Sequence, residues 1–115
     1  MSVSFDGIGQ WAATFTCGQV QEGSLVKISG NGQVAECAAG EAFCGQVLAL
    51  ARCGDACSVQ LGGFVTADYS GDTAPAVGWS GLSADGSGGV QADAKGRQYL
   101  VAAVDSAAGV VTFVL

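Results

Sequence analysis

Two halves of this 115-residue chain read alike. Leu25-Val26-Lys27-Ile28-Ser29 aligns with Trp79-Ser80-Gly81-Leu82-Ser83, Val47-Leu48-Ala49-Leu50 with Val101-Ala102-Ala103-Val104, and Cys57-Ser58-Val59-Gln60-Leu61 with Val111-Thr112-Phe113-Val114-Leu115, each pair 54 positions apart. Val34 matches Val90 two positions further out of step, after the turns Gly30-Asn31-Gly32-Gln33 and Asp85-Gly86-Ser87-Gly88-Gly89; turns are where a length change does least harm. A strand-turn-strand unit repeated at about residues 23–61 and 78–115 restricts the chain to a fold that can be built twice.

The units read as β-structure. Glycine occurs 19 times, and each one inside a helix costs about 1 kcal/mol against alanine, so few windows are long enough for a stable helix. Apolar runs of strand length fall at Ala13–Thr16, Leu25–Ile28, Gln33–Glu36, Gly45–Ala51, Ser58–Leu61, Phe64–Ala67, Leu82–Ala84, Gly89–Ala92, Tyr99–Val104 and Val110–Leu115, many β-branched and separated by Gly, Asn or Asp turns. The fold class that follows is all-β: a small Gly-rich β-barrel or sandwich of about ten short strands, its two similar repeats closing over one shared interior. Residues 21–115 then form a single all-β domain. Residues 1–20 stand outside the repeat as an N-terminal arm or edge strand, and Pro75 marks the crossover between repeats.

Composition limits the partners. Only 12% of residues are charged while half are apolar, against roughly 25% charged in ordinary soluble domains, so much of the surface is weakly solvated and suited to packing on something else. Mean hydropathy is +0.42, yet no apolar run approaches the ~20 residues of a membrane-spanning helix. A net charge of −6 without a basic stripe repels phosphate backbones, which excludes nucleic acid as well as anionic membranes. The start of the chain, Met1 to Gly7, lacks the basic and apolar regions of a signal peptide. Synthesis in the cytoplasm is the expectation, with the five cysteines held as thiols.

Reactive chemistry is sparse. The absence of histidine removes Ser-His-Asp and Cys-His catalysis and the usual proton shuttle near neutrality. Cys37, Cys44, Cys53 and Cys57 could supply four thiolates to zinc, but paired Cys-x2-Cys knuckles are missing; a Cys53–Cys57 disulfide is a second reading. Small apolar thiols are the third, favoured because Cys57 aligns with Val111. Glu36, Glu41, Asp68, Asp72, Asp85, Asp93 and Asp105 fall in turns and loops and read as solvated acids, and Asp85–Gly89 reads as a hairpin turn rather than a calcium or phosphate loop. No catalytic, cofactor-binding or metal-binding residue is assigned, no cofactor is expected, and the chain is read as not an enzyme. Trp11, Tyr69 and Trp79 could together form an aromatic platform for carbohydrate. Trp79, however, stands in the place of Leu25, which points to a core role.

The spacing of Gly and Val in Glu22–Ile28, Gly30–Ala38, Phe43–Ala51 and Ser58–Val65 resembles the small head-decoration, or capsid-cementing, proteins of tailed phages and prophages. The resemblance covers about residues 18–115. It implies a structural virion protein that adds to the outside of an assembled capsid and stabilises it, often as a homotrimer, with the major capsid protein and its own copies as partners and the capsid surface as its location. The family supplies no residue motif. The contact expected with the capsid therefore falls on the non-repeated segment, at Ser2, Val3, Phe5, Ile8 and Trp11, and subunit contact on the edges of the last strands. The alternatives are a carbohydrate- or host-surface-binding β module and another self-assembling structural or adhesion protein.

Overall fold

A computed structural model describes residues 10–52, 54–71 and 73–115. Ten strands account for the regular structure: β1 (Trp11–Cys17), β2 (Leu25–Gly30), β3 (Gln33–Glu36), β4 (Gly45–Leu50), β5 (Ala56–Gly62), β6 (Phe64–Ser70), β7 (Gly78–Ala84), β8 (Val90–Ala92), β9 (Arg97–Asp105) and β10 (Val110–Val114). Each run named from the sequence overlaps one of them. They form two closed five-stranded barrels, β1-β3-β2-β4-β5 and β6-β8-β7-β9-β10. The orders are identical once β1 is matched with β6, β2 with β7, and so on.

The likeness extends to irregularities. In β4 the register against β5 slips between Val47 and Ala49, leaving Leu48 extra, and in β9 the register against β10 slips around Ala102. Leu48 and Ala102 are again 54 positions apart. A bulge bends its strand sharply and raises its twist, which a sheet of only five strands needs in order to close. In each barrel the first strand also meets the third in parallel, Cys17 opposite Val34 and Tyr69 opposite Val90.

Three features of the fold differ from the sequence reading. First, the repeat begins earlier: β1 stands to β5 as β6 stands to β10, with Ala12 opposite Gln60 and Phe64 opposite Val114. The offset there is 52 rather than 54, and Trp11-Ala12-Ala13-Thr14 shares only a threonine with Gly63-Phe64-Val65-Thr66, so the likeness is hidden. Secondly, the halves join at Gly62–Gly63, while Pro75 lies inside the second barrel, between β6 and β7. Thirdly, there are two interiors. Cys17, Val20, Val26, Val34, Val47, Cys57 and Val59 fill the first barrel. The larger cluster, around Tyr99 and Phe113, belongs to the second barrel and also takes in Leu25, Cys37 and Phe43 from the first.

Phe43 is the link between them. It sits in the loop between β3 and β4, stacks on Tyr99 at 5.0 Å between ring centroids and meets Phe113 edge-on at 5.7 Å, both favourable arrangements for aromatic pairs. Main-chain bonds flank it: Gly40 N donates to Ala84 O at 2.8 Å, and Ala84 N donates to Glu41 O at 2.9 Å. The loop itself is tied down by Lys27, whose Nζ donates to both carboxylate oxygens of Glu41 at 2.8 and 2.6 Å. One barrel thus closes the mouth of the other.

Candidate functional site

Residues directly opposite each other in a sheet point to the same side of it. In the first barrel Leu25, Gln46 and Gln60 are opposite in turn across β2, β4 and β5, alternating with the interior residues Val26, Val47 and Val59. This outward row is nonetheless buried, with exposures of 1%, 9% and 2%. Its cover is the second barrel. Gln46 Nε2 donates to Thr66 O at 2.9 Å and to Gly23 O at 3.1 Å, Gln60 Nε2 donates to Phe64 O at 2.8 Å, and Leu25 N donates to Gly88 O at 3.1 Å.

The same row exists in the second barrel. Trp79 is opposite Leu100 and Leu100 is opposite Val114, 54 positions beyond Leu25, Gln46 and Gln60 respectively. Here the row faces outward and open. Trp79 is 71% exposed, Leu100 is 38% exposed and Val114 is half-buried. Placing Trp79 in the core is therefore wrong, although its alignment with Leu25 is right. Leu25 owes its burial to the contact between barrels, and not to a place inside one. Beside Trp79 the hollow is lined by Arg97, Gln98 and Leu115, and the guanidinium of Arg97 lies 5.0 Å over the ring of Tyr99.

A second apolar surface lies at the start of β1. Trp11 is 59% exposed and lies against Gly62 of β5, where a Cβ would strike its indole, so that glycine leaves room for the ring. Leu48, the bulge residue of β4, lines the same hollow. Of the expected capsid contacts, Ser2, Val3, Phe5 and Ile8 lie outside the described residues, leaving Trp11 as the one the structure places. Trp11 and Trp79 line different hollows and Tyr69 is half-buried against the larger core, so the three aromatics do not share a platform. Those two hollows hold about 170 and 180 Å3, below the ~300 Å3 at which small-molecule sites usually begin.

Several of the reactive groups are committed to structure. Asp85 Oδ1 accepts from Ser87 N and Gly89 N at 2.7 and 3.0 Å, and its Oδ2 accepts from Ser70 Oγ at 2.8 Å; Asp93 and Asp105 accept main-chain N–H groups in their own turns. Asp85–Gly89 is the β7–β8 hairpin turn. Hydrogen bonds from Lys27 and from Ala38 N hold the Glu41 carboxyl below its ordinary range. Cys37 lies in the larger core and Cys57 in the other, so the cysteines proposed for zinc do not converge; Cys53 lies outside the described residues. Burial first, and then Glu41, pushes the Cys37 thiol up to about 11; burial and a hydrogen bond with Cys17 push Cys57 up to about 11. Such thiols are poor nucleophiles.

No protein-family model matches this chain, and no curated protein matches it either.

Proposed function

We propose that this is a structural virion protein that binds the outside of an assembled phage capsid and stabilises it, acting as a homotrimer on the major capsid protein after synthesis in the bacterial cytoplasm. The observation that carries this reading is Trp11: a large, exposed indole seated on glycine beside Leu48, at the point where residues 1–9 join a braced two-barrel body. An anchor of this kind supplies contact area at small cost in side-chain freedom. Many identical shell sites then turn modest single contacts into lasting attachment. The reading is non-enzymatic and needs no cofactor, since the carboxylates and thiols described above brace turns or fill cores.

The test is co-sedimentation with purified expanded shells of a tailed phage whose major capsid protein is encoded in the same genome. Saturable binding that raises the temperature at which the shells come apart is expected, with loss of binding on Trp11→Ala or on removal of residues 1–9 while the barrels stay folded. Shells that leave the protein in solution would refute the reading.

Exposed Trp79 beside Arg97 and Gln98 favours a second reading, a carbohydrate- or host-surface-binding module. Binding on a glycan array that disappears in Trp79→Ala would support it over decoration.

A further inference from the structure

We infer that the outward row Trp79, Leu100 and Val114 is the docking face for a second copy of this chain, which presents to it the open edge of its own β1 at Ala12–Thr14, so that copies join head to tail. The inference assigns surfaces to the self-association that the capsid reading includes, and it does not depend on capsid binding, which the shell experiment tests separately. It rests on the register of the two barrels.

One such contact already exists inside the chain. The row Leu25, Gln46, Gln60 of the first barrel lies on the Phe64–Thr66 stretch of β6 and on the turn at Gly88, through the hydrogen bonds to Thr66 O, Phe64 O and Gly88 O. Both sides of that contact have counterparts. The row recurs as Trp79, Leu100, Val114. The receiving stretch recurs in β1, where Ala12 corresponds to Phe64 and Thr14 to Thr66 through their matching partners in β5 and β10. The Gly88 turn recurs at Gly32. Ala12, Ala13, Thr14, Asn31 and Gly32 are all exposed. Among the described residues β3 engages β1 only at Thr16 and Cys17, leaving the edge before them without a strand on that side. Among the described residues each chain therefore uses one row and one edge on itself and leaves one of each open.

The spare row is also the more adhesive. Where the internal contact has Leu25, Gln46 and Gln60, the outer one has tryptophan, leucine and valine, an exchange toward the aromatic and aliphatic anchors of protein interfaces. Among the described residues the row and the edge are built from uncharged side chains, with Arg97 at the margin of the row. Outward-facing Gln98, in the hollow with Trp79, keeps an amide on hand for the strand-edge carbonyls that Gln46 and Gln60 satisfy internally. Because row and edge are different surfaces the interface is heterologous, and repetition closes a ring when the rotation allows and otherwise runs on as a filament.

Light scattering after size exclusion tests this on the full chain. The wild-type protein should have a mass of more than one chain, and Trp79→Glu on the row or Thr14→Glu on the edge should each reduce it to one chain, with unchanged circular dichroism. Mixed in equal amounts, the two variants should form a species of two chains, since one intact row then meets one intact edge; the double variant should recruit neither. Trp79→Gln gives a milder version should the charged variant misfold. A wild-type monomer at every concentration up to the solubility limit would overturn the inference. So would an oligomer that survives Thr14→Glu but not Trp79→Glu, because the row would then be meeting itself, or a mixture of the two variants in which no two-chain species appears.

Discussion

The two barrels share strand order, bulge position and the parallel closing pair, yet they are filled differently. The first is packed with valine and cysteine from its own half of the chain, whereas the second holds Tyr99 and Phe113 and is completed by Leu25, Cys37 and Phe43 from outside. One interior is filled from its own half and the other borrows. Duplication of a fold therefore does not duplicate its dependencies: the loop between β3 and β4 reaches across to plug a neighbour, while the corresponding Asp93–Gly96 connection is a tight turn closed by Gly96 N to Asp93 O at 2.9 Å. That asymmetry orders the stability of the whole molecule.

Phe43→Ala should break the comparison most forcefully. It removes a buried ring from between Tyr99 and Phe113, and Phe→Ala in a core costs about 3–5 kcal/mol. The loss is expected mainly in the second barrel. Amide exchange should quicken in β9 and β10 well before β4 and β5, while the urea midpoint falls. Equal acceleration in both barrels would mean that the two interiors melt as one unit and that the plug has no special place.

Gln46→Leu sharpens the comparison at the shared row, because leucine is what the second barrel carries there, at Leu100. The change leaves Gly23 O and Thr66 O without the amide that satisfies them, and a buried acceptor stripped of its donor costs about 1–3 kcal/mol. The reciprocal Leu100→Gln, on an exposed face, should leave the melting temperature of an isolated chain nearly unchanged. If both substitutions had the same effect, the two rows would not differ in cover.

Much of this was legible in the residues. Apolar runs between turns mark all ten strands, many of them β-branched although β7 holds no β-branched residue, and the offset of 54 carries both the bulges and the outward rows. Two things were hidden. The likeness of β1 to β6 is masked because Trp11-Ala12-Ala13 and Gly63-Phe64-Val65 share no side chain while sharing their main-chain pairing, and strand pairing asks little of side-chain identity. The exposure of Trp79 was hidden for another reason. Alternation along a strand reports which side of the sheet a residue faces and not what covers that side, so an apolar outward residue reads as core whether or not a neighbouring barrel exists. For the site, Trp11 was picked out by standing outside the recognised repeat, whereas the row of Trp79, Leu100 and Val114 needed register, which is a property of paired strands.

The smallest expected effect lies at the base of the plug loop. Hydrogen bonds from Lys27 Nζ and then Ala38 N lower the Glu41 carboxyl from its ordinary value of 4.5, so the unfolded chain takes up a proton there before the folded one does. The stability that Glu41 adds is therefore fully present above about 4.5 and is lost as pH falls through the lower folded value. Both side chains are more than a third exposed, where solvent screens most of the attraction, so the gain is far smaller than that from Phe43. Glu41→Gln should lower the urea midpoint slightly at neutral pH, less than Gln46→Leu, and the difference from wild type should shrink toward zero in acid below the folded value. High salt should shrink it as well. A difference that persisted unchanged into acid would show that the carboxylate's charge is not what holds the loop, leaving the main-chain pair between Ala84 and the Gly40–Glu41 segment to keep Phe43 in place.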